Sequence, residues 1–366
     1  MDDYVISNAA EIPTPALVLY RDRVADNIEC MGELLGGFSR LRPHIKTHKM
    51  SRIARMEMDA GIDKFKCATP KEAAMLAAIG ATDILIAYPI IGANIERVIN
   101  LQQSHPGIDL KVIADDENSI RSLSDACAAS DVTIGVMIDL NTGMDRTGAQ
   151  PGDSSLELAQ LISESQALTF EGLHAYDGHV SGEDAEVRGQ TTRDAIQKAI
   201  DTRTLIESND LEVKTLVASG SPSFEFNAKV PEVDEVSPGT WIFWDTGYSE
   251  TISIPFRWAA LVLASVISTP GPDLITLDAG SKSISPDTPV PYFRVLGLPE
   301  NLEFVRRNEE HQLLRIPKGT PRPNVGDQFY LVPRHVCTTI NLWDEACVVD
   351  GANTFTETWP IDARGH

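Results

Sequence analysis

The segment Arg42 to Met50, RPHIKTHKM, collects His44, Lys46, His48 and Lys49 at the end of a strand-like run in a chain that is otherwise acidic. Lys46 follows directly on apolar Ile45, so its amine leaves the strand end partly desolvated, and cationic neighbours on the same side would lower its pKa further. An uncharged lysine amine attacks carbonyls and forms a Schiff base. A solvated basic turn is the competing reading of the same residues. Further groups of reactive type follow at later strand ends: Arg146 in NTGMDRTG, and Tyr176 and His179 in AYDGHV. The run SGSPS adds Ser219, Gly220, Ser221 and Ser223, whose hydroxyls and backbone N–H groups could cradle a phosphate, although such clusters are usually plain turns. Near the C-terminus, PRHVCTTIN places His335 and Cys337 two residues apart. In an extended segment they would project from one face, and imidazole with thiolate is a borderline-soft pair suited to zinc. Two protein ligands leave positions open, which is the catalytic pattern; a buried histidine beside a free cysteine is the plainer alternative.

These residues need a scaffold that brings strand ends together. Short β-branched or apolar runs alternate with amphipathic helical stretches: RLRPHIK (40–46), KFKCAT (64–69), DILIAY (83–88), DLKVIAD (109–115), TIGVMIDL (133–140), TFEGLHAY (169–176), KTLVAS (214–219) and VDEVSPG (233–239). Strands alternating with helices predict a parallel α/β sheet, and eight such units close a (β/α)8 barrel. An open doubly wound sheet is less favoured because no GxGxxG follows the first strand. Past residue 245 the chain turns to strand-length runs punctuated by Gly, Pro and Asp. The expected division is a barrel over 22–245 and a mostly-β domain over 246–366 that takes in residues 1–21, where TPALVLY supplies a lone strand.

A barrel carries its site at the C-terminal ends of its strands, which is where Lys46, Arg146, Tyr176, His179 and the 219–223 loop fall. A phosphate cradle opposite a carbonyl-capturing lysine is what pyridoxal phosphate requires. Arg146 and Tyr176 are of the right types to contact its phenolate and its ring nitrogen.

Composition narrows the field of partners. Lys plus Arg number 31 against 53 Asp plus Glu, a net charge of −22, which repels nucleic acid and anionic lipid. The sequence shows no secretory leader and no apolar run long enough to span a bilayer, so a cytoplasmic protein is expected. Five scattered cysteines, Cys30, Cys67, Cys127, Cys337 and Cys347, contain no CxxC pair and no disulfide framework.

In order along nearly the whole chain, RPHIKTHK, NTGMDRTG, AYDGHV, SPGTWIFWD, LDAGSKSISPD and PRHVCTTINLWD resemble the fold-type III pyridoxal-phosphate enzymes of the D-threonine aldolase and D-serine dehydratase group. The resemblance implies an alanine-racemase-like barrel with the cofactor on Lys46, a second β domain, and a divalent metal, zinc or manganese, at His335 and Cys337. It also implies a β-hydroxy-D-amino acid as substrate and a homodimer. Arg334 and Thr338 depart from it, standing where Asn and Pro are expected. With His179 as the base for the hydroxyl proton, the expected reaction is retro-aldol cleavage. Dehydration is the alternative, and racemisation would leave the metal pair without a task.

Overall fold

Strand β1 (Ala16–Tyr20) is followed by seven short strands, β2 (Lys64–Cys67), β3 (Asp83–Pro89), β4 (Asp109–Ala114), β5 (Ile134–Asp139), β6 (Leu168–Ala175), β7 (Thr215–Ala218) and β8 (Glu235–Val236). In this computed structural model, which describes residues 2–366, β2 to β8 form one parallel sheet in the order of their sequence. Helices separate most of them. Thr69 and Asp116 cap two of these helices through their side chains, accepting from the N–H groups of Glu72 and Ser119 and so satisfying donors that a helix start leaves open. Leu85, Ile113, Met137 and Val217 pack together from β3, β4, β5 and β7 as an apolar layer.

The first of the eight expected strands is not a continuous strand. Leu41 bridges Val236 of β8 and His44 bridges Lys66 of β2. Residues 41–44 therefore stand between the two edges of the seven-stranded sheet and occupy the eighth place of the barrel. Pro43 is the reason the ladder is broken, because it has no N–H to donate. Its neighbours compensate: Arg42 N–H donates to Val236 O (3.0 Å), His44 N–H to Pro238 O (3.0 Å), and Pro43 O accepts from Lys66 N–H (2.9 Å). The Arg42 side chain adds a fork to the Asp83 carboxylate (2.7 and 2.9 Å) and an Nε–H donation to Glu235 (2.5 Å).

The remaining strands, β9 (Ala260–Gly271), β10 (Leu274–Leu277), β11 (Phe293–Val295), β12 (Glu303–Arg307), β13 (Gln312–Arg315), β14 (Gln328–Pro333), β15 (Glu345–Val349) and β16 (Phe355–Pro360), join β1 in a second sheet of order β12-β13-β10-β9-β1-β15-β16, with β14 pairing β9 and β11. β1 runs antiparallel to β9 and parallel to β15, so the lone N-terminal strand does pair into the β-rich part of the chain. Val18, Tyr20, Leu261, Leu263, Val332 and Val349 form its core. Trp241, Phe243 and Trp244 are fully buried, as packing residues should be.

Two compact units result. One comprises residues up to 30 with 47–53 and 240–365, and the other residues 31–46 with 54–239. Among the described residues, no helix is long and apolar enough to cross a membrane.

Candidate active site

At the C-terminal ends of the barrel strands lies a cavity of about 430 Å³, whose polar lining includes His44, Lys46, Lys66, Asp139, Arg146, His174 and Tyr176. Three residues expected from the sequence thus converge. Lys46, in the turn Ile45–Thr47 that follows the closing segment, has its Nζ 5.8 Å from the centroid of the Tyr176 ring, and the Arg146 guanidinium carbon lies 5.0 Å from the same ring. The ring packs so closely on Gly178 that a Cβ there would overlap it. A cavity of this size with a lysine amine, a guanidinium and a phenol at its wall fits a phosphorylated aromatic aldehyde.

The 219–223 loop is braced by a residue the sequence reading passed over. Asp177, buried directly after Tyr176, accepts at Oδ1 from Gly220 N–H (2.9 Å) and Ser223 Oγ–H (2.7 Å), and at Oδ2 from Asn227 Nδ2–H (3.0 Å). Burial pushes its pKa up against these donors. Gly220 and Ser223 therefore hold the loop's shape here, while Ser219 Oγ donates to Ala218 O (2.6 Å) and Ser221 Oγ accepts from Gly239 N–H (3.3 Å). Ser219 has a φ of 75°, a left-handed turn uncommon for a side-chain-bearing residue. His179 is not among the residues lining the cavity. It packs against Gly143, where a Cβ would come within 3.1 Å of its Nε2, and its buried Nδ1 has no hydrogen-bond partner.

At the wall of the cavity the sequence reading missed a second amine. Lys66 is 2% exposed, and its Nζ lies 3.4 Å from His174 Nε2 and 5.8 Å from the Tyr176 centroid. His174 Nδ1 in turn meets Asp139 Oδ1 at 2.7 Å, and Thr147 Oγ–H donates to Asp139 Oδ2 (2.8 Å). Burial lowers the Lys66 pKa to about 7; the Lys46 and Arg42 charges push the same way, and those of Asp139 and Asp177 oppose them. Burial likewise depresses His174 despite Asp139. Asp139 is penalised by burial, yet its hydrogen bonds from His174 and Thr147 hold it below the usual carboxylate range.

His335 and Cys337 belong to the other unit, and their backbone corrects the expectation of an extended segment. His335 is extended (φ −133°) and caps the short helix Val336–Ile340, so Cys337 sits in a first helical turn. The two side chains are nonetheless close enough for each to favour the charged form of the other. Thr47 and Thr240 hydroxyls approach Cys337 Sγ at 3.1 and 3.5 Å. Burial works against the charge on His335, but Cys337, Asp287 and Asp245 push its pKa up to about 9. Cys337 is raised by burial and lowered more by His335 and the two hydroxyls, which favours thiolate. Imidazole and thiolate facing each other are a suitable donor pair for a borderline divalent ion. Among the described residues no group of three His, Cys, Asp or Glu side chains comes together as a metal site.

Fold and cavity together define a barrel enzyme of the pyridoxal-phosphate class with an appended β-rich unit. Residues 19–246 match the family described as alanine racemase, N-terminal domain, and residues 259–349 match that described as putative serine dehydratase domain. The chain is 30% identical to a D-threonine aldolase of Arthrobacter sp. over 97% of its own length and 94% of that protein's. It is 27% identical to a 3-hydroxy-D-aspartate aldolase of Paracoccus denitrificans, over 97% and 93%. Its fold superposes on the crystal structure of D-threonine aldolase from Filomicrobium marinum with a TM-score of 0.91, at 30% identity and 97% coverage of both chains. The chain belongs to the pyridoxal-phosphate-dependent lyases built on the alanine-racemase-like fold, the family of these aldolases and of the related D-serine dehydratases.

Proposed function

We propose that this protein cleaves the Cα–Cβ bond of β-hydroxy-D-amino acids to glycine and an aldehyde, using pyridoxal phosphate on Lys46 and a divalent metal on His335 and Cys337. The observation that supports this reading most is the convergence of Lys46, Arg146 and Tyr176 on one cavity of a chain similar to aldolases along almost its whole length. Pyridoxal phosphate would supply the electron sink for the pair left on Cα. The Lys46 amine would hold that group and, once free of it, would serve as a base toward Cα. Arg146 would donate to its phenolate, the Tyr176 hydroxyl would meet its ring nitrogen, and the loop containing Ser219, Gly220, Ser221 and Ser223 would hold its phosphate. His179, whose Nδ1 is unpartnered, would take the β-hydroxyl proton, which requires its ring to turn from Gly143 toward the cavity it does not line here. The O–H pair then becomes the aldehyde C=O, the Cα–Cβ pair stays on Cα, and Cα takes up a proton to give glycine. A divalent ion on the His335–Cys337 pair would supply Lewis acidity toward the hydroxyl.

One observation favours a second reading. The stretch matching a putative serine dehydratase domain contains both His335 and Cys337. In that case Lys46 removes the Cα proton, the hydroxyl leaves, and hydrolysis gives a keto acid and ammonia. Product analysis with D-threonine and D-serine, with and without chelator, separates the two: glycine with aldehyde is expected, and keto acid would establish the dehydratase. Failure of borohydride to fix pyridoxal phosphate to Lys46 would remove both.

A further inference from the structure

The LDAGSKSISPD stretch ends in Asp287, a residue with no part in the reaction described above. Its carboxylate lies against the metal pair's histidine. Asp287 Oδ2 is 2.6 Å from His335 Nδ1, and Oδ1 accepts from Thr338 Oγ–H at 3.1 Å. A second hydroxyl, that of Ser285, also favours the charged carboxylate. Thr338, one of the two departures from the family pattern, thus helps to orient Asp287.

An imidazole has two nitrogens, and only the one without a proton can ligate an ion. A carboxylate accepting from one nitrogen fixes the proton there and directs the other nitrogen's lone pair outward. We propose that Asp287 is the positioning residue of the metal site: it accepts the Nδ1 proton of His335, fixes that tautomer and ring orientation, and so commits Nε2 to the ion. The inference rests on the reading that His335 and Cys337 take a divalent ion. Cys337 has its own support in the Thr47 and Thr240 hydroxyls, so each ligand is backed by separate groups. Asp287 backs the weaker of the two, an imidazole that must give up its Nε2 proton to ligate and that sits on a half-exposed side chain.

The test is metal affinity, measured on the full chain after chelator treatment by zinc titration against a chromophoric chelator. Asp287→Ala should weaken zinc binding by roughly 10- to 100-fold, the usual cost of losing such a carboxylate, and Asp287→Asn, which keeps an acceptor but no charge, should fall between it and wild type. Cobalt gives a readout that a merely structural role would not move in this way. At saturation both variants should keep the thiolate-to-cobalt charge-transfer band of Cys337, reached at higher cobalt. Unchanged zinc affinity in both variants overturns the proposal. So does loss of the band at saturating cobalt, since Asp287 would then be holding the 335–340 turn together. If wild type binds neither metal, the metal reading itself fails.

Discussion

A lysine amine sealed inside a barrel beside a second one cannot remain charged at no cost, and Lys66 shows it with a pKa pushed down to about 7. The sign follows directly: above that value Lys66 is a neutral amine, and as pH falls through it a further cation appears in the cavity that Arg146 also lines. The groups facing it are Lys46, Arg42, Asp139, Asp177, His174 and the Tyr176 ring. In the cofactor-loaded protein, absorbance should therefore shift with a midpoint near 7, and Lys66→Met should abolish that transition while keeping the colour. A midpoint unmoved by the substitution would show that another group is responsible. Lys66 was not legible in the sequence, because nothing in KFKC sets it apart from Lys64 on the same face of the strand. Asp177 and Asp287 were hidden differently, since a carboxylate that braces a loop or a histidine looks like any turn residue until its partners are located. Lys46, Arg146 and Tyr176 were legible because strand-end position and side-chain chemistry agreed.

Strands β2 to β8 were readable from apolar alternation, with ends within a few residues. The closing segment was not, since RLRPHIK looks like a strand while Pro43 permits only two bridges. The backbone hydrogen bonds forgone there are replaced by Arg42, whose guanidinium joins Asp83 of β3 and Glu235 of β8. Breaking a buried ion pair by deleting one partner costs about 3–5 kcal/mol, because a charge is left unmatched. Arg42→Ala should lower stability by that amount in denaturant unfolding. It should also weaken cofactor retention more than a surface substitution does, because the segment leads into the Lys46 turn. Arg42→Ala with full stability would mean that the bridges alone close the barrel. His335 and Cys337 were singled out by spacing, but their backbone was misjudged, because His335 ends an extended run and VCTTI starts a helix with no strong cap signal before it.

The division of the whole chain into two kinds of structure was visible as a change of texture near residue 245. The interleaving was not, because residues 47–53 belong with the β-rich unit although they follow Lys46 directly. The charge of −22 is equally a property of the whole, against which the cavity gathers Lys46, Lys66 and Arg146.

The central position of β1 determines what can be cut from this gene. Residues 16–20 are buried throughout and hydrogen-bonded on both sides, by β9 and β15. Both partners are translated more than two hundred residues later. Until then a growing chain carries ALVLY as an open, two-edged apolar strand, the kind of segment that templates aggregation. Residues 1–239 expressed alone should accumulate in the insoluble fraction, and deleting residues 1–20 from that fragment should relieve it; equal solubility of the two fragments would show that β1 is not the sticky element. The protein is thus not a pair of exchangeable modules, and its N-terminus is a candidate site for chaperone protection during synthesis.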